Sequence, residues 1–140
     1  MDTTDEAPLH VVALGTGDVQ VRLTWTGPAD LDIHVVDPEF CEIYYGQTEC
    51  EGSGGQLDQD DIPPCPGDAS AVWTENIFFP QGAAPEGDYT ATARAYNACD
   101  VSTDWTMTIW VDGVMVYEIQ GSFDADDQFQ EQAFSVPTPA

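Results

Sequence analysis

Residues 104–120 read DWTMTIWVDGVMVYEIQ, and their pattern is the clearest indication of the fold class. Two alternating runs flank Asp112-Gly113, a dipeptide that favours the type I′ turn of a two-residue β-hairpin. In the first run, Trp105, Met107 and Ile109 fall on one face of a strand, and the threonines fall on the other. The stretch therefore predicts two antiparallel strands joined by a tight turn.

The same alternation recurs along the chain, most clearly in DVQVRLTW at 18–25 and GDYTATARAY at 87–96. Turn signals follow about every ten residues, and no stretch has the apolar spacing of an amphipathic helix. We therefore expect an all-β protein, an antiparallel β-sandwich of immunoglobulin-like or jelly-roll type with seven to nine strands. The 140 residues predict a single domain over 1–140, with flexible tails at 1–10 and 136–140.

The charge of the chain is strongly negative, since 26 acidic residues face two arginines and no lysine, for a formal net charge of −24. Such a field repels nucleic acid and anionic membrane surfaces. No apolar run approaches the roughly 18 residues of a membrane span, so we expect no membrane insertion. The acidity has two interpretations: a solvated surface adapted to salt, or carboxylates gathered in part around a divalent cation.

Four cysteines, Cys41, Cys50, Cys65 and Cys99, predict two disulfides, and three pairings are open. Zinc is disfavoured, because the chain has no CxxC spacing and only two histidines. The first ten residues, MDTTDEAPLH, lack the basic and apolar regions of a signal peptide. Either the protein is cytosolic, or the chain is a mature form with a start Met added; the cysteines favour the second, so we expect a secreted, periplasmic or cell-surface protein whose signal peptide has been removed.

Candidate metal ligands lie in ADLDIHVVDPE at 29–39, in GGQLDQDD at 54–61 and in ENI at 75–77. The second motif belongs to a long segment, 46–69, that has no periodicity and is expected to be a loop. Calcium prefers six to eight oxygen ligands from carboxylates, amides and carbonyls. The candidate calcium ligands are Asp30, Asp32, Asp58, Asp60, Asp61, Glu75 and Asn76. His34 shares a face with Asp32, and we expect it to support a ligand by a hydrogen bond rather than to bind the ion.

The order of the motifs DLDIHVVDP, YYG, GGQLDQDD, ENIFFP and PEGDYTATARAYN resembles the YfaP-like family of bacterial envelope proteins, over roughly residues 20–120. It is also similar to the TerD-type tellurium-resistance domain, a calcium-binding β-sandwich. The first resemblance implies an extracytoplasmic β-sandwich module. The second implies metal ligands at Asp30, Asp32, Asp58, Asp60 and Glu75. The chain departs from that domain in having cysteines and in lacking its fuller glycine-and-acid loop.

Trp110 and Tyr96 are candidates for stacking against a sugar or a partner protein, and Trp110 has the alternative of being covered by a loop or a second layer. No catalytic motif is present, neither G-x-S-x-G nor a phosphate-binding loop. We therefore expect a calcium-binding module without catalytic activity that acts in binding, adhesion or as an accessory domain. Its partner would be a glycan or a cell-surface protein, and its oligomeric state is open. The alternatives are a glycan-active hydrolase using Glu75 or a nearby aspartate, the carbohydrate-binding domain of such an enzyme, and a structural spacer with an acidic surface.

Overall fold

The computed structural model describes residues 14–137, and they form ten β-strands and no helix. The expected all-β class is confirmed. The strands in chain order are β1 (Val19–Thr26), β2 (Asp30–Val36), β3 (Glu42–Ile43), β4 (Glu49–Cys50), β5 (Gly55–Asp60), β6 (Val72–Phe79), β7 (Gly87–Asn97), β8 (Thr103–Val111), β9 (Val114–Phe123) and β10 (Phe129–Val136).

The strands form two antiparallel sheets that pack as a sandwich. One sheet has six strands in the order β4-β5-β6-β1-β8-β9, and the other has four in the order β10-β7-β2-β3. The expected number of seven to nine strands was too low, because β3 and β4 have two residues each and are too short to show a period. The expectation of a loop throughout 46–69 was also wrong. Strands β4 and β5 lie there, and β5 pairs along the edge of β6.

The core lies between the sheets and follows the alternation of the sequence. On β1 the inward row is Val19, Val21, Leu23 and Trp25, all buried, and β8 contributes its own alternate residues. Burying one such aliphatic side chain stabilises the fold by about 1.5–3 kcal/mol. The outward row of each strand carries mainly polar side chains, so one-residue slips of register are disfavoured.

The hairpin between β8 and β9 has the turn that its sequence predicts. Asp112 has a φ of 51° and Gly113 a φ of 77°. A type I′ turn needs positive φ at both central residues, which glycine and aspartate adopt more readily than most residues. The predicted hairpin is therefore confirmed.

Two disulfides hold the chain, Cys41–Cys50 and Cys65–Cys99. The first closes the segment that contains β3 and β4, and the second ties the segment after β5 to the end of β7. Disulfides of this kind are typical of an oxidising, extracytoplasmic environment. Residues 14–137 contain no helix long and apolar enough to cross a membrane. Of the expected tails, 1–10 and 138–140 lie outside the described residues, whereas Val136 ends β10.

Candidate metal centre

The candidate site lies where strand β2 of the smaller sheet meets β6 of the larger one. Strand β3 pairs with β2 only at Val35 and Val36, so the edge of β2 is open further toward Asp30. There the backbone N–H of Ile33 donates to Oε1 of Glu75 at 2.9 Å. A side chain of the opposite sheet thus replaces the missing strand partner, as a buried backbone donor requires.

Three carboxyl groups converge at this edge. One oxygen each of Asp30, Asp32 and Glu75 lies within 4.8 Å of the other two. Glu75 is 1% exposed and Asp32 is 3% exposed. A fourth acid, Asp60, is the direct cross-strand neighbour of Glu75 on β5. We call Asp30, Asp32, Asp60 and Glu75 the carboxylate cluster.

The cluster leaves buried oxygens without donors. Asp30 Oδ1, Asp32 Oδ2 and Glu75 Oε2 have no hydrogen-bond partner among the described residues. Neither arginine of the chain supplies one, because Arg94 pairs with Asp127 at 2.5 Å and Arg22 lies over a tryptophan ring on the other sheet. Burying an unpartnered ionised carboxylate costs free energy, so a proton or a bound cation would stabilise the site.

The pKa values of three acids in the cluster, Asp30, Asp32 and Glu75, are raised. Burial, followed by the charges of Asp30 and Asp60, raises the pKa of Asp32 to about 7. Burial and the charge of Asp60 raise the pKa of Asp30 to about 6. Burial raises the pKa of Glu75 well above its usual value, and a hydrogen bond with Asp60 adds to this. That hydrogen bond needs a proton on one of the two carboxyl groups, because an ionised carboxylate cannot donate. When both groups are ionised, the hydrogen bond between Glu75 and Asp60 is lost. In each case burial is the largest cause and neighbouring acids add to it, and the charge of Arg94 lowers the pKa of Asp32 only in part.

Asp58 and Asn76, two further candidate ligands, face away from the cluster and bond to each other. Asn76 Nδ2 donates to Asp58 Oδ1 at 2.7 Å, and Gly15 N donates to Asp58 Oδ2 at 2.6 Å. Gln20 Nε2 donates to Asn76 Oδ1 at 2.9 Å. Both side chains are therefore occupied in a structural network on the outer face of the larger sheet.

A β-bulge separates Asp58 from Asp60. The register of β5 against β6 shifts between Leu57 and Gln59, with Asp58 as the extra residue. A bulge breaks the two-residue alternation of a strand. As a result Asp60 lies beside Glu75, whereas Asp58 does not.

Asp61, the remaining candidate ligand, also lies outside the cluster. Its Oδ1 accepts a hydrogen bond from Gln59 Nε2 at 2.5 Å, and its Oδ2 accepts one from the backbone N–H of Thr74 at 2.9 Å. With both oxygens occupied, Asp61 fixes the end of β5 against β6. The structure thus brings four of the seven candidate ligands together.

His34 lies beside the cluster without bonding to it. Its Nδ1 is 2.7 Å from Glu42 Oε2, and its ring stacks on Tyr44 with centroids 5.0 Å apart. The expected hydrogen bond to a carboxylate exists, but that carboxylate belongs to β3. Trp110 lies on the outer face of the other sheet, and the Arg22 guanidinium is 4.8 Å from its ring centroid.

A cavity of about 200 Å³ opens onto the cluster. It is lined by Asp30, Asp32, Tyr45, Asp60, Ile62 and Tyr96. Tyr96 was a candidate from the sequence, but Tyr45 and Ile62 were not. The only sequence signal for Tyr45 is an aromatic pair between two cysteines, and Ile62 has none.

Two other features resemble sites and are weaker. Asp37 lies close to Cys41 and Cys50, but these cysteines form a disulfide and have no thiolate to offer a metal. A cavity of about 490 Å³ lies elsewhere, between β1, β6, β8 and β9. Its one acid, Asp104, accepts a hydrogen bond from Ser122 Oγ at 2.5 Å and is therefore satisfied.

Comparisons of this chain with models of protein families, with curated proteins and with solved structures found no match.

Proposed function

We propose that this chain is an extracytoplasmic calcium-binding β-sandwich module that serves binding or adhesion and has no catalytic activity. The observation that carries the proposal is the carboxylate cluster, whose buried oxygens point at one another without a donor. A cation bound among Asp30, Asp32, Asp60 and Glu75 would satisfy these oxygens. It would also supply a counter-charge to Asp30, Asp32 and Glu75, whose pKa values are raised by burial and by neighbouring acids.

The donor set favours calcium among common metal ions. All four side chains are carboxylates, which are hard oxygen ligands suited to calcium or magnesium. Zinc and copper favour nitrogen or sulfur, and neither ring nitrogen of His34 belongs to the group of ligand atoms that Asp30, Asp32 and Glu75 bring within 4.8 Å of one another. Four carboxylates, completed by oxygens from water or a ligand, suit the six to eight oxygens and flexible geometry of calcium better than the strict octahedron of magnesium.

The ion would act as a structural link. Its ligands lie on β2 in one sheet and on β5 and β6 in the other, so binding would join the two sheets. The two disulfides support an extracytoplasmic location, where calcium is available at millimolar concentration. The order of the sequence motifs resembles that of YfaP-like envelope proteins, and this resemblance is a further reason to propose an extracytoplasmic module.

A hydrolase is the alternative reading of the same residues, because a carboxyl with a raised pKa is what a general acid requires. Glu75 is 1% exposed, however, and its Oε1 accepts the N–H of Ile33. A carboxyl so enclosed has no access to a glycosidic oxygen, which argues against Glu75 as the general acid and leaves the aspartates that line the cavity, Asp30, Asp32 and Asp60, as the acids of this alternative.

The experiment is thermal unfolding in EDTA and then in calcium, with sodium chloride added to match the ionic strength. Wild type should unfold at a higher midpoint in calcium, by about 2.7 kcal/mol of stabilisation at ~100-fold excess over the dissociation constant. Asp32→Asn should lose most of this shift. Glu131→Gln removes the same charge from an exposed position on β10 and should keep it. Equal midpoints for wild type in calcium and in sodium would overturn the proposal.

A further inference from the structure

A row of aromatic rings lies over the outer face of the smaller sheet. Tyr44 stacks on His34, Tyr45 meets Tyr44 edge to face at 5.2 Å, and Tyr96 meets Tyr45 edge to face at 5.6 Å. Tyr45 is 44% exposed and Tyr96 is 52% exposed. We call Tyr44, Tyr45 and Tyr96 the tyrosine row. Aromatic rings held in mutual contact at the surface do not contribute to the core, so they are available to a ligand.

The tyrosine row and the carboxylate cluster border one cavity. Tyr45 and Tyr96 form its walls together with Ile62, and Asp30, Asp32 and Asp60 line the same space. A ligand entering the cavity would meet apolar ring surface on one side and the proposed ion on the other. Binding pockets commonly combine an apolar lining with a few convergent polar groups in this way.

The proposed ion would have coordination positions left for a ligand. Calcium takes six to eight oxygens. Glu75 already spends one oxygen on the N–H of Ile33, and the other three acids, Asp30, Asp32 and Asp60, all line the cavity. With one oxygen from each of the four carboxylates, about two to four positions would remain, and water or the hydroxyl groups of a ligand would fill them from the cavity.

The charge of the site selects against anionic ligands. Four ionised carboxylates around a doubly charged cation leave two negative charges, Arg94 beside Asp32 is offset by its own pair with Asp127, and the whole chain carries −24. Carboxylates, sulfates and phosphates of a ligand would be repelled. Neutral hydroxyl groups would not.

We propose that the cavity and the tyrosine row bind a neutral glycan through the calcium ion. This inference rests on the proposed function, because the ion must be present. Adjacent hydroxyl groups of one sugar would coordinate calcium, and the apolar C–H face of that sugar or of the next would pack on Tyr45 and Tyr96. The Cys41–Cys50 disulfide encloses the segment that carries Tyr44 and Tyr45, so part of the surface is ordered before binding.

The test measures retention of the full chain by four neutral polysaccharides, mannan, galactomannan, dextran and xylan, cast in native gels with calcium or with EDTA. Wild type should be retarded by at least one of them in calcium only, and isothermal titration with matching oligosaccharides should give the affinity. Tyr96→Ala should weaken this affinity by about tenfold while keeping the calcium-induced rise of the unfolding midpoint. Tyr117→Ala removes a comparably exposed tyrosine from β9 of the other sheet and should change neither.

The outcomes separate this inference from the proposed function. A calcium-induced rise of the midpoint without retention by any of the polysaccharides overturns the glycan inference and leaves the ion site standing, with a cell-surface protein as the remaining partner. Retention that survives EDTA, or that Tyr45→Ala and Tyr96→Ala leave intact, also overturns it. The absence of any calcium-induced rise overturns the proposed function, and the glycan inference with it.

Discussion

The backbone N–H of Ile33 donates a hydrogen bond of 2.9 Å to Oε1 of Glu75, and this bond joins β2 of one sheet to β6 of the other. It places a charged side chain in the interior of a sandwich whose remaining inward rows are mostly apolar. One oxygen of Glu75 thereby has a structural partner and Oε2 has none, in a carboxyl group that comes within 4.8 Å of those of Asp30 and Asp32. The same residue thus fixes the fold and creates the need for a cation.

The first prediction follows from the different surroundings of the two Glu75 oxygens. Glu75→Gln keeps an oxygen that can accept the N–H of Ile33 and removes the charge. Without calcium at about pH 8, wild type must either bury that charge or take up a proton against the solution pH, and both reduce its stability. Glu75→Gln should therefore be more stable than wild type in EDTA by about 1–3 kcal/mol.

Urea unfolding followed by tryptophan fluorescence measures this difference. In calcium the order should reverse, because the amide is a poorer ligand than the carboxylate. Glu131→Gln is the matched control and should behave as wild type in both media. A variant less stable than wild type in EDTA would mean that the ionised carboxylate itself stabilises the link to Ile33.

The second prediction concerns pH. The folded-state pKa values of Asp30 and Asp32 are raised to about 6 and about 7, above the 3.8 of an unperturbed aspartate. Between these limits the folded chain binds more protons than the unfolded chain. The stabilising contribution is therefore fully present below about pH 4 and is lost as the pH rises through about 6 to 7. In EDTA, the free energy of unfolding that these two acids contribute should therefore fall as the pH rises from about 4 to about 7.

Calcium should have the opposite dependence, because it binds the deprotonated carboxylates and competes with protons. The calcium-induced rise of the midpoint should be small near pH 5 and large near pH 8. Differential scanning calorimetry across this range, on wild type and on Asp32→Asn, measures both effects. A calcium-induced rise that does not change with pH would place the ion away from Asp30 and Asp32.

The strands that form the core could be predicted from the sequence, because their apolar and polar residues alternate and so indicate which face of each strand is buried. The inward row of β1 and the Asp112-Gly113 turn are examples. Short strands could not be found in this way. Two residues, as in Glu42–Ile43 and Glu49–Cys50, are too few to show a period, and they form strands only because a neighbouring edge accepts them.

The candidate ligands illustrate the same limit. Asp58 and Asp60 have equivalent positions in the motif LDQDD, but a bulge at Asp58 turns the two acids to different surroundings. The extra residue of a bulge leaves no periodic signal in a sequence. Tyr45 reaches the cluster by tertiary packing alone, and spacing along the chain has no information about it. The pairing of the four cysteines was likewise open until the fold placed them.

The third prediction concerns the Cys65–Cys99 disulfide, which spans 34 residues and follows closely after Asp60 and Ile62. Replacing both cysteines by serine should lower the free energy of unfolding by about 4 kcal/mol, since the closed loop is long. The same change at Cys41 and Cys50, nine residues apart, should cost less, about 2.5 kcal/mol. Urea unfolding of the two double variants measures the difference.

The two disulfides should also differ in their effect on ligands. Loss of Cys65–Cys99 should weaken calcium binding, because the segment that follows Asp60 is freed at one end. Loss of Cys41–Cys50 should weaken glycan retention more than calcium binding, because that loop carries Tyr45 but no member of the carboxylate cluster. The reverse pattern would contradict the assignment of ion and glycan to these two segments.

The last prediction separates the two aromatic candidates that the sequence offers. Trp110 lies on the outer face of the six-stranded sheet under the guanidinium of Arg22, whereas Tyr96 lines the cavity at the carboxylate cluster. Trp110 and Arg22 are both partly buried, so Trp110→Ala should destabilise the fold by about 1–3 kcal/mol through the lost cation–π pair and the lost apolar contact. It should leave the calcium-induced midpoint shift and the retention by polysaccharides unchanged, measured beside Tyr96→Ala under the same conditions. If Trp110→Ala abolished retention and Tyr96→Ala did not, the ligand would bind the six-stranded sheet, and the calcium ion would stabilise the fold without taking part in binding.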